Sequence, residues 1–197
     1  LHSEPSHQLK AVVELPQKQA MAKLAARLLH PDMTIYLDAG TSTLEIVPFI
    51  KALSGMTVVT NDFGIVLALM DALHVTVIHT GGQLDHSNHS CVGGLAVATL
   101  RQIVTDIAFI STSSWDLRRG LTTPSALKVE VKQVAMQSAS QVVLVASSSK
   151  YGTFSMYKIA GIEQFDIVIS DDALTPAAAD SIRKQGVELL LPSDDSV

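Results

Sequence analysis

The segment TIYLDAGTST, residues 34–43, joins a short apolar run to a turn of small polar residues, and this junction decides the fold. Thr34–Leu37 has the length and composition of a buried strand. The stretch after the turn, Leu44–Leu53, has the apolar pattern of a helix, which Pro48 should kink or shorten. A strand that passes through a tight turn into a helix is the repeating unit of an α/β domain.

The same unit recurs along the chain. Short apolar runs, most of them rich in Val and Ile, predict six further strands at Met56–Val59, Val75–His79, Ile107–Ile110, Val142–Val145, Ile167–Ile169 and Val187–Leu191. Further helices are predicted at Phe63–Leu73, Leu95–Ile103, Ala126–Ala139 and Ala177–Gln185. Thr123-Pro124 and Thr175-Pro176 place a capping hydroxyl before a first-turn proline at the last two helices. We therefore predict an α/β fold with a mostly parallel sheet flanked by helices, and a possible small extra lobe from about Ser147 to Gln164.

The composition narrows the classes of function. Of the 197 residues, 47% are hydrophobic and 17% are charged, which suits one well-buried domain and argues against disorder. The formal net charge is −5 and lysines and arginines are thinly spread. Because duplex binding draws on contacts between these residues and phosphates, we predict that this chain does not hold DNA by itself.

The sequence also bears on compartment and domain limits. No apolar run approaches the roughly 18 residues of a membrane span, so no membrane partner is expected. The single cysteine, Cys91, excludes an internal disulfide and is consistent with a reducing compartment, so a cytoplasmic protein is expected. Residues 1–16 are polar and contain Pro5 and Pro16, which predicts a linker, followed by one domain over residues 17–197 that opens with a helix.

Polar turns follow the first five predicted strands. They are Asp38–Thr43, Thr60–Asp62, Thr80–Gly82, Ser111–Ser114 and Ser147–Lys150. Open α/β sheets bind ligands beyond the carboxyl ends of their strands. Convergent polar groups in one cleft are the usual form of a small-molecule site, so a ligand is predicted there.

The first of these turns has the features of an anion site. Gly40 allows close approach of the backbone, and Thr41, Ser42 and Thr43 precede a helix whose free N–H groups and dipole favour a negative group. The same residues are also common helix caps that need no ligand. The four neighbouring polar turns favour the ligand interpretation.

Three lysines are candidates to balance the charge of such a ligand. Lys150, in the fifth turn, can form a point-charge contact with a phosphate or carboxylate. Lys128 and Lys132 lie one helical turn apart, and for Lys128 a solvated position is as plausible as a ligand contact.

Other kinds of site are not favoured. Neither glycine-rich nucleotide motif is present. His86 and His89, with Asp85 and Cys91 nearby, invite a zinc interpretation but lack firm spacing and a second ligand pair, so we predict a polar loop, no metal and no cofactor. For Trp115, a half-buried loop position is favoured slightly over a lid or a subunit contact.

Seven motifs, in order, resemble the effector-binding domain of DeoR-type regulators. They are LDAGTST at 37–43, VTN at 59–61, TGG at 80–82, DIAFI at 106–110, GLTT at 120–123, EVK at 130–132 and SSKYG at 148–152. The resemblance covers about residues 18–191. Each motif is weak alone, but their shared order is specific.

The resemblance implies a bacterial transcriptional regulator, a repressor of a sugar or sugar-acid operon, that binds operator DNA only through an N-terminal helix-turn-helix domain joined by residues 1–16. It implies a sensor with a fold similar to ribose-5-phosphate isomerase and CoA transferases, a phosphorylated sugar or sugar-acid effector, and a homo-oligomer, either dimer or tetramer. With the strand ends, it gives these candidate ligand-binding residues: Asp38, Gly40, Thr41, Ser42, Thr43, Thr60, Asn61, Gly81, Gly82, Glu130, Lys132 and Lys150.

Two other functions stay open at this point. One is a sugar-phosphate isomerase or a CoA-transferase-like enzyme. Isomerisation needs a carboxylate base and a group that stabilises the enediolate, and Asp38 or Glu130 together with Lys132 are the candidates. The abundance of neutral hydroxyls argues against an enzyme. A plain oligomerisation module without a ligand is the third alternative.

Overall fold

The computed structural model describes residues 13–195, and the strands within this range fall where the apolar runs predicted a sheet, with five additional short ones. In chain order they are β1 (Thr34–Leu37), β2 (Thr57–Thr60), β3 (Thr76–His79), β4 (Gln83–Asp85), β5 (Ser90–Val92), β6 (Thr105–Ile110), β7 (Ser114–Asp116), β8 (Gly120–Thr123), β9 (Ala139–Val145), β10 (Tyr157–Ala160), β11 (Ile167–Ile169) and β12 (Glu188–Leu190).

The helices alternate with these strands. The α-helices are α1 (Leu15–Ala26), α2 (Thr41–Leu44), α3 (Val47–Ile50), α4 (Phe63–Leu69), α5 (Gly94–Leu100), α6 (Ala126–Gln137) and α7 (Pro176–Arg183). Short 3₁₀ turns lie at Ser148–Lys150, Ile162–Gln164 and Pro192–Asp195. Within the described range, no helix is both long and apolar enough to span a bilayer.

Seven strands form one parallel sheet in the order β12-β11-β9-β6-β1-β2-β3. Strand β1 lies near its centre, with Tyr36 opposite Val59 on one side and Ala108 on the other. Because all seven strands run the same way, the turns after β1, β2, β6 and β9 meet at one edge. The predicted mostly parallel sheet with flanking helices is confirmed.

Both faces of the sheet are buried, which explains why the strands are apolar throughout. Helices α5, α6 and α7 cover one face, where Tyr36 and Leu144 point. Helices α1, α3 and α4 cover the other face, where Leu37, Phe109 and Val143 point. Each strand therefore contributes alternate residues to two separate cores.

Two small antiparallel sheets complete the domain. Strands β4 and β5 form a hairpin, and β10, β8 and β7 form a three-stranded sheet in that order. Of the predicted extra lobe, only β10 is a strand, and it pairs with β8. Trp115, in β7, is fully buried and donates from Nε1 to the Ser147 carbonyl oxygen over 3.2 Å, so a half-buried loop position for it is wrong.

Several predicted helix limits are corrected by the structure. Instead of one helix at Leu44–Leu53, there are two short helices, because Pro48 can occupy only the first turn of a helix. Helix α6 ends at Gln137, and Ala139 begins β9. Thr123 does not cap α6, because it is the last residue of β8. The predicted cap at Thr175 is confirmed, since its side chain accepts from Ala178 N.

The pairing of β8 with β10 requires a glycine at residue 120. It has φ +75°, and a Cβ there would overlap the Ala160 carbonyl oxygen. Gly152 has φ +76° but nothing within 4 Å of the corresponding position. A side chain at either position would therefore strain the backbone. At residue 120 it would also overlap the Ala160 carbonyl oxygen.

We predict that Gly152→Ala lowers the free energy of unfolding by about 1–2 kcal/mol through backbone strain alone. Gly120→Ala should lower it by a further 1–3 kcal/mol or so, because the extra carbon also forces the strands apart. Urea unfolding of both variants measures the difference. Equal losses would show that the close approach of β10 to Gly120 is not needed.

Candidate functional site

A cavity of about 310 Å³ lies at the carboxyl edge of the main sheet, within the size range of small-molecule sites. The turns after β1, β6 and β9 form much of its wall, and α6, the β4–β5 hairpin, β8, β10 and the start of α1 contribute the rest. The lining residues are Val13, Glu14, Lys18, Ala39, Gly40, Thr41, Ser42, Asn88, Ser111, Thr112, Ser113, Thr123, Lys128, Lys132, Ser149, Lys150 and Ile159.

A buried ion pair between Asp38 and Lys132 holds this edge together. Asp38 is 1% exposed, and its Oδ2 also accepts from Ser111 N at 2.9 Å and Ser111 Oγ at 3.1 Å. The Lys132 ammonium also donates to the Ser111 carbonyl oxygen at 2.9 Å. The pair thus ties the ends of β1 and β6 to α6. The positive charge of Lys132 balances the Asp38 carboxylate within the protein, because a buried carboxylate needs a partner.

Asn61 supports the first turn from the side of β2. Its Oδ1 accepts from Ala39 N and from the Tyr36 hydroxyl, each at 3.0 Å, and its Nδ2 donates to the Cys91 carbonyl oxygen at 2.9 Å. Burial, with the charge of Asp38 nearby, raises the pKa of the Tyr36 hydroxyl well above its usual value. The hydroxyl therefore stays protonated and remains a donor. Asn61 is a structural brace in this arrangement.

The turn itself is satisfied largely by internal bonds. Gly40 N donates to Asp62 Oδ2 at 3.1 Å, and Thr43 Oγ1 is 2.6 Å from the Asp38 carbonyl oxygen. Thr60 Oγ1 donates to the Leu37 carbonyl oxygen at 2.7 Å. A Cβ on residue 40 would lie 2.7 Å from Ser111 Oγ, so only glycine fits there without movement of Ser111.

Ser42 is the exception in this turn. It lines the cavity and is 2% exposed, yet its hydroxyl has no hydrogen-bond partner among residues 13–195. A buried hydroxyl left without a partner costs about 1–3 kcal/mol. A ligand that supplied the missing partner would recover that free energy.

Lysines dominate the charge of the lining. Within the described range, the charged lining residues are Lys18, Lys128, Lys132 and Lys150 with one carboxylate, Glu14. Lys150 Nζ donates to the Thr112 carbonyl oxygen at 2.8 Å. An ammonium has three protons, so each lysine can hold an internal partner and still donate to a ligand. The cavity therefore favours an anion.

Lys128 is held in place by the β4–β5 hairpin. Its Nζ lies 3.2 Å from Asp85 Oδ2. Burial raises the pKa of the Asp85 carboxyl, but hydrogen bonds from Ser87 and the ammonium of Lys128 outweigh it and keep the pKa below its usual value. Asp85 is therefore ionised at neutral pH. The hairpin also brings Asn88 to the cavity wall.

The structure brings Gly40, Thr41, Ser42, Lys132 and Lys150 together at the cavity wall. Behind this wall lie the predicted residues whose side chains bond within the protein, namely Asp38, Thr43, Thr60 and Asn61.

Three further predicted residues are also absent from the lining. Glu130 pairs with Arg101 at 2.9 Å and its side chain is 57% exposed, because a residue two positions from Lys128 and Lys132 faces away from them on a helix. Gly81 N donates to His79 Nδ1, and Gly82 packs against α5, where a Cβ would lie 3.1 Å from Ala96 Cβ.

Some lining residues were not predicted. Glu14 and Lys18 belong to no recognised motif, and Asn88 lies in the stretch read as a polar loop. Lys128 could have been chosen over Glu130 by helical spacing alone, since it lies one turn before Lys132. The described residues contain no group of three or more histidine, cysteine, aspartate or glutamate side chains placed to hold a metal ion.

Residues 14–172 match the family model of the DeoR C-terminal sensor domain. The chain is 43% identical to the uncharacterized HTH-type transcriptional regulator YgbI of Escherichia coli K12, over 98% of this chain and 75% of that protein. It is 34% identical to the deoxyribose operon repressor of the same strain, over 84% of this chain and 65% of that protein. It is 29% identical to the HTH-type regulator GlpR of Haloferax volcanii, over 95% of this chain and 73% of that protein.

Two solved structures resemble this chain at low sequence identity. The eIF2B beta subunit from Chaetomium thermophilum has a TM-score of 0.55 at 12% identity, over 78% of this chain and 48% of that one. Ribose 5-phosphate isomerase A from Methanocaldococcus jannaschii has a TM-score of 0.49 at 15% identity, over 68% of this chain and 53% of that one. The chain spans about half the length of these structures.

The Asp38–Lys132 pair gives a stability prediction for the site. Lys132→Met leaves the Asp38 carboxylate buried without its cation, which should lower the free energy of unfolding by about 3–5 kcal/mol. Arg101→Met breaks the exposed pair with Glu130 and should change it by about 1 kcal/mol or less. Urea unfolding at neutral pH compares the two. Similar small losses would mean that the pair does not hold the cavity edge.

Proposed function

We propose a sensing function on the premise that the chain belongs to the DeoR family of transcriptional regulators, through its C-terminal sensor domain. In this proposal the cavity at the carboxyl edge of the sheet binds a phosphorylated sugar or sugar acid. Binding of this effector alters how the full-length protein binds its operator. Operator DNA is contacted by an N-terminal helix-turn-helix domain and not by the acidic chain described above.

The observation that carries the proposal is the cationic lining of the cavity. Four lysines line a space large enough for a small ligand, and two of them, Lys128 and Lys132, are also paired with Asp85 and Asp38. Ser42 lies in the same wall, and its buried hydroxyl has no hydrogen-bond partner among residues 13–195. Charge-assisted hydrogen bonds from lysine to phosphate are stronger than neutral ones. A phosphate or carboxylate is thus the group that this wall favours most.

The hydroxyl-rich part of the wall suits the rest of such a ligand. Thr41, Ser113, Thr123 and Asn88 supply neutral donors and acceptors, which match the hydroxyls of a sugar. We assign the anionic group to the side of Ser42 and Lys150. Because α2 has only four residues, its dipole adds little, and the lysines supply most of the attraction.

The names of the relatives support a regulatory role. One is a repressor of a deoxyribose operon, and others are HTH-type transcriptional regulators. A repressor of a sugar or sugar-acid operon needs an effector that binds its two conformations with different affinity. A shift from mostly one state to mostly the other requires a difference of about 5.5 kcal/mol.

The positions of the acids favour sensing over isomerisation. An isomerase needs a carboxylate base within reach of the substrate. Asp38 is held by Ser111 and Lys132, and Glu130 is paired with Arg101 outside the cavity lining. Neither of these two predicted bases is placed toward the cavity, and Glu14, the carboxylate in the lining formed by residues 13–195, accepts a hydrogen bond from Ser149, so we do not propose an enzymatic role.

The charge of Lys150 gives a binding prediction. In thermal-shift measurements, at least one member of a panel of sugar phosphates and sugar-acid phosphates should raise Tm, and saturation at 100 times Kd stabilises by about 2.7 kcal/mol. Lys150→Met should lower the affinity for that compound roughly tenfold or more, since a hydrogen bond to a charged group is lost. Lys158→Met, at an exposed position on β10, is the matched control.

Two outcomes count against this assignment. One is a complete panel that leaves Tm unchanged. The other is an equal effect of Lys150→Met and Lys158→Met on the affinity.

The hydroxyls of Ser42 and Thr43 give a second prediction, because in residues 13–195 the hydroxyl of Thr43 has a hydrogen-bond partner and that of Ser42 has none. Ser42→Ala should maintain or raise the free energy of unfolding in the absence of ligand. It should also lower the affinity for the stabilising compound about two- to tenfold. Thr43→Val should lower the free energy of unfolding by about 1 kcal/mol. Urea unfolding and calorimetric titration test this contrast. It fails if Ser42→Ala destabilises as much as Thr43→Val or leaves the affinity unchanged.

A further inference from the structure

The segment that leads into α1 forms part of the wall of the ligand cavity. Val13 and Glu14 line the cavity, together with Lys18 from the first turn of α1. In a C-terminal sensor domain, this segment is where the chain arrives from the rest of the regulator. Its position next to the ligand site therefore links occupancy of the cavity to the direction of the incoming chain.

Two contacts hold this segment on the wall, and both use groups that line the cavity. Lys18 Nζ donates to the Val13 carbonyl oxygen at 2.7 Å. Ser149 Oγ donates to Glu14 Oε2 at 3.1 Å. Both donors, a lysine ammonium and a hydroxyl, are also suitable donors for a phosphate.

The backbone of Glu14 is strained in this position. It has φ 57° and ψ 32°, the left-handed region that a residue with a Cβ adopts only at a cost in free energy. Such a conformation persists when surrounding contacts impose it. The Glu14 carbonyl oxygen accepts from Lys18 N at 3.0 Å, and the contacts of Val13 and Glu14 with the cavity wall add to this bond. Loss of these contacts would allow the segment to relax to another conformation.

We infer that an anion bound in the cavity releases this segment from the wall. The anion competes with the Glu14 carboxylate for the hydroxyl of Ser149, and its charge repels Glu14. The inference rests on the proposed function, because it requires an anionic ligand in this cavity. It makes the segment before α1 the route by which occupancy reaches the rest of the regulator.

The direction of the effect follows from the sign of the charges. Glu14 is the one acidic side chain in the lining formed by residues 13–195. Its carboxylate accepts from the hydroxyl of Ser149, the residue before Lys150. A ligand shifts an equilibrium only by its differential affinity for the two states. Repulsion by Glu14 lowers the affinity of the attached state, so an anion favours the released state.

Hydrogen exchange on the 197-residue chain, with inorganic phosphate and ribose 5-phosphate as probes, tests the inference. Thermal shift first establishes that at least one probe binds. With that probe bound, amide exchange in the peptide over residues 13–18 should rise, while exchange over the cavity turn at residues 40–43 should fall. The peptide of α7 serves as an internal reference.

Glu14→Gln supplies the second arm, since it removes the charge and keeps an oxygen for Ser149. It should tighten the binding of the same probe about three- to tenfold, because the repulsion is gone. It should also reduce the rise in exchange over residues 13–18. Glu188→Gln, an exposed position in β12, makes the same charge change far from the lining and should alter neither quantity.

The outcomes separate this inference from the proposed function. A probe that binds without raising exchange over residues 13–18, or binding that Glu14→Gln leaves unchanged, overturns the release of the segment and leaves the ligand site intact. Failure of both probes and of every member of the sugar-phosphate and sugar-acid-phosphate panel to bind, at any concentration that leaves the protein folded, overturns both.

Discussion

The ion pair between Asp38 and Lys132 is the interaction on which the rest of the site depends. It connects strand β1 to α6, and through Ser111 it includes the end of the central strand β6. A buried carboxylate tolerates this position because an ammonium and three further donors, two from Ser111 and the hydroxyl of Tyr36, surround it. The cavity can therefore have fixed walls although loops form most of them. Lys128, one turn earlier on α6, is positioned by the same helix.

The polar residues at this edge fall into two groups with different tasks. Asp38, Thr43, Thr60 and Asn61 bond to other parts of the protein and hold the turns in place. Ser42 lines the cavity, and its hydroxyl has no hydrogen-bond partner in the part of the chain that the structure describes. The lysines combine both tasks, because an ammonium has several protons to donate. A rigid frame of satisfied groups around a few available donors is the arrangement expected of a preorganised ligand site.

Much of the fold was predictable because burial on both faces leaves a strong signal, short apolar runs separated by polar turns. The short strands of the small sheets were not, since three-residue strands such as Ser114–Asp116 carry no periodic pattern. For the site, the turns after the strands indicated the correct edge. Which groups face the cavity depends on tertiary packing, so sequence alone did not separate the bracing Asn61 from the lining Ser42. It also missed Lys18, whose contribution requires α1 to lie beside the turn after β9.

The central claim is that this cavity recognises an anion attached to a polyol, and paired calorimetric titrations test it most directly. Each sugar phosphate or sugar-acid phosphate of a panel is titrated beside its dephosphorylated counterpart at two salt concentrations. We expect at least one phosphorylated compound to bind one per chain, at least about 100-fold more tightly than its neutral counterpart and more weakly at high salt. Equal affinity for a phosphorylated compound and its neutral counterpart, or binding that is insensitive to salt, would contradict the account.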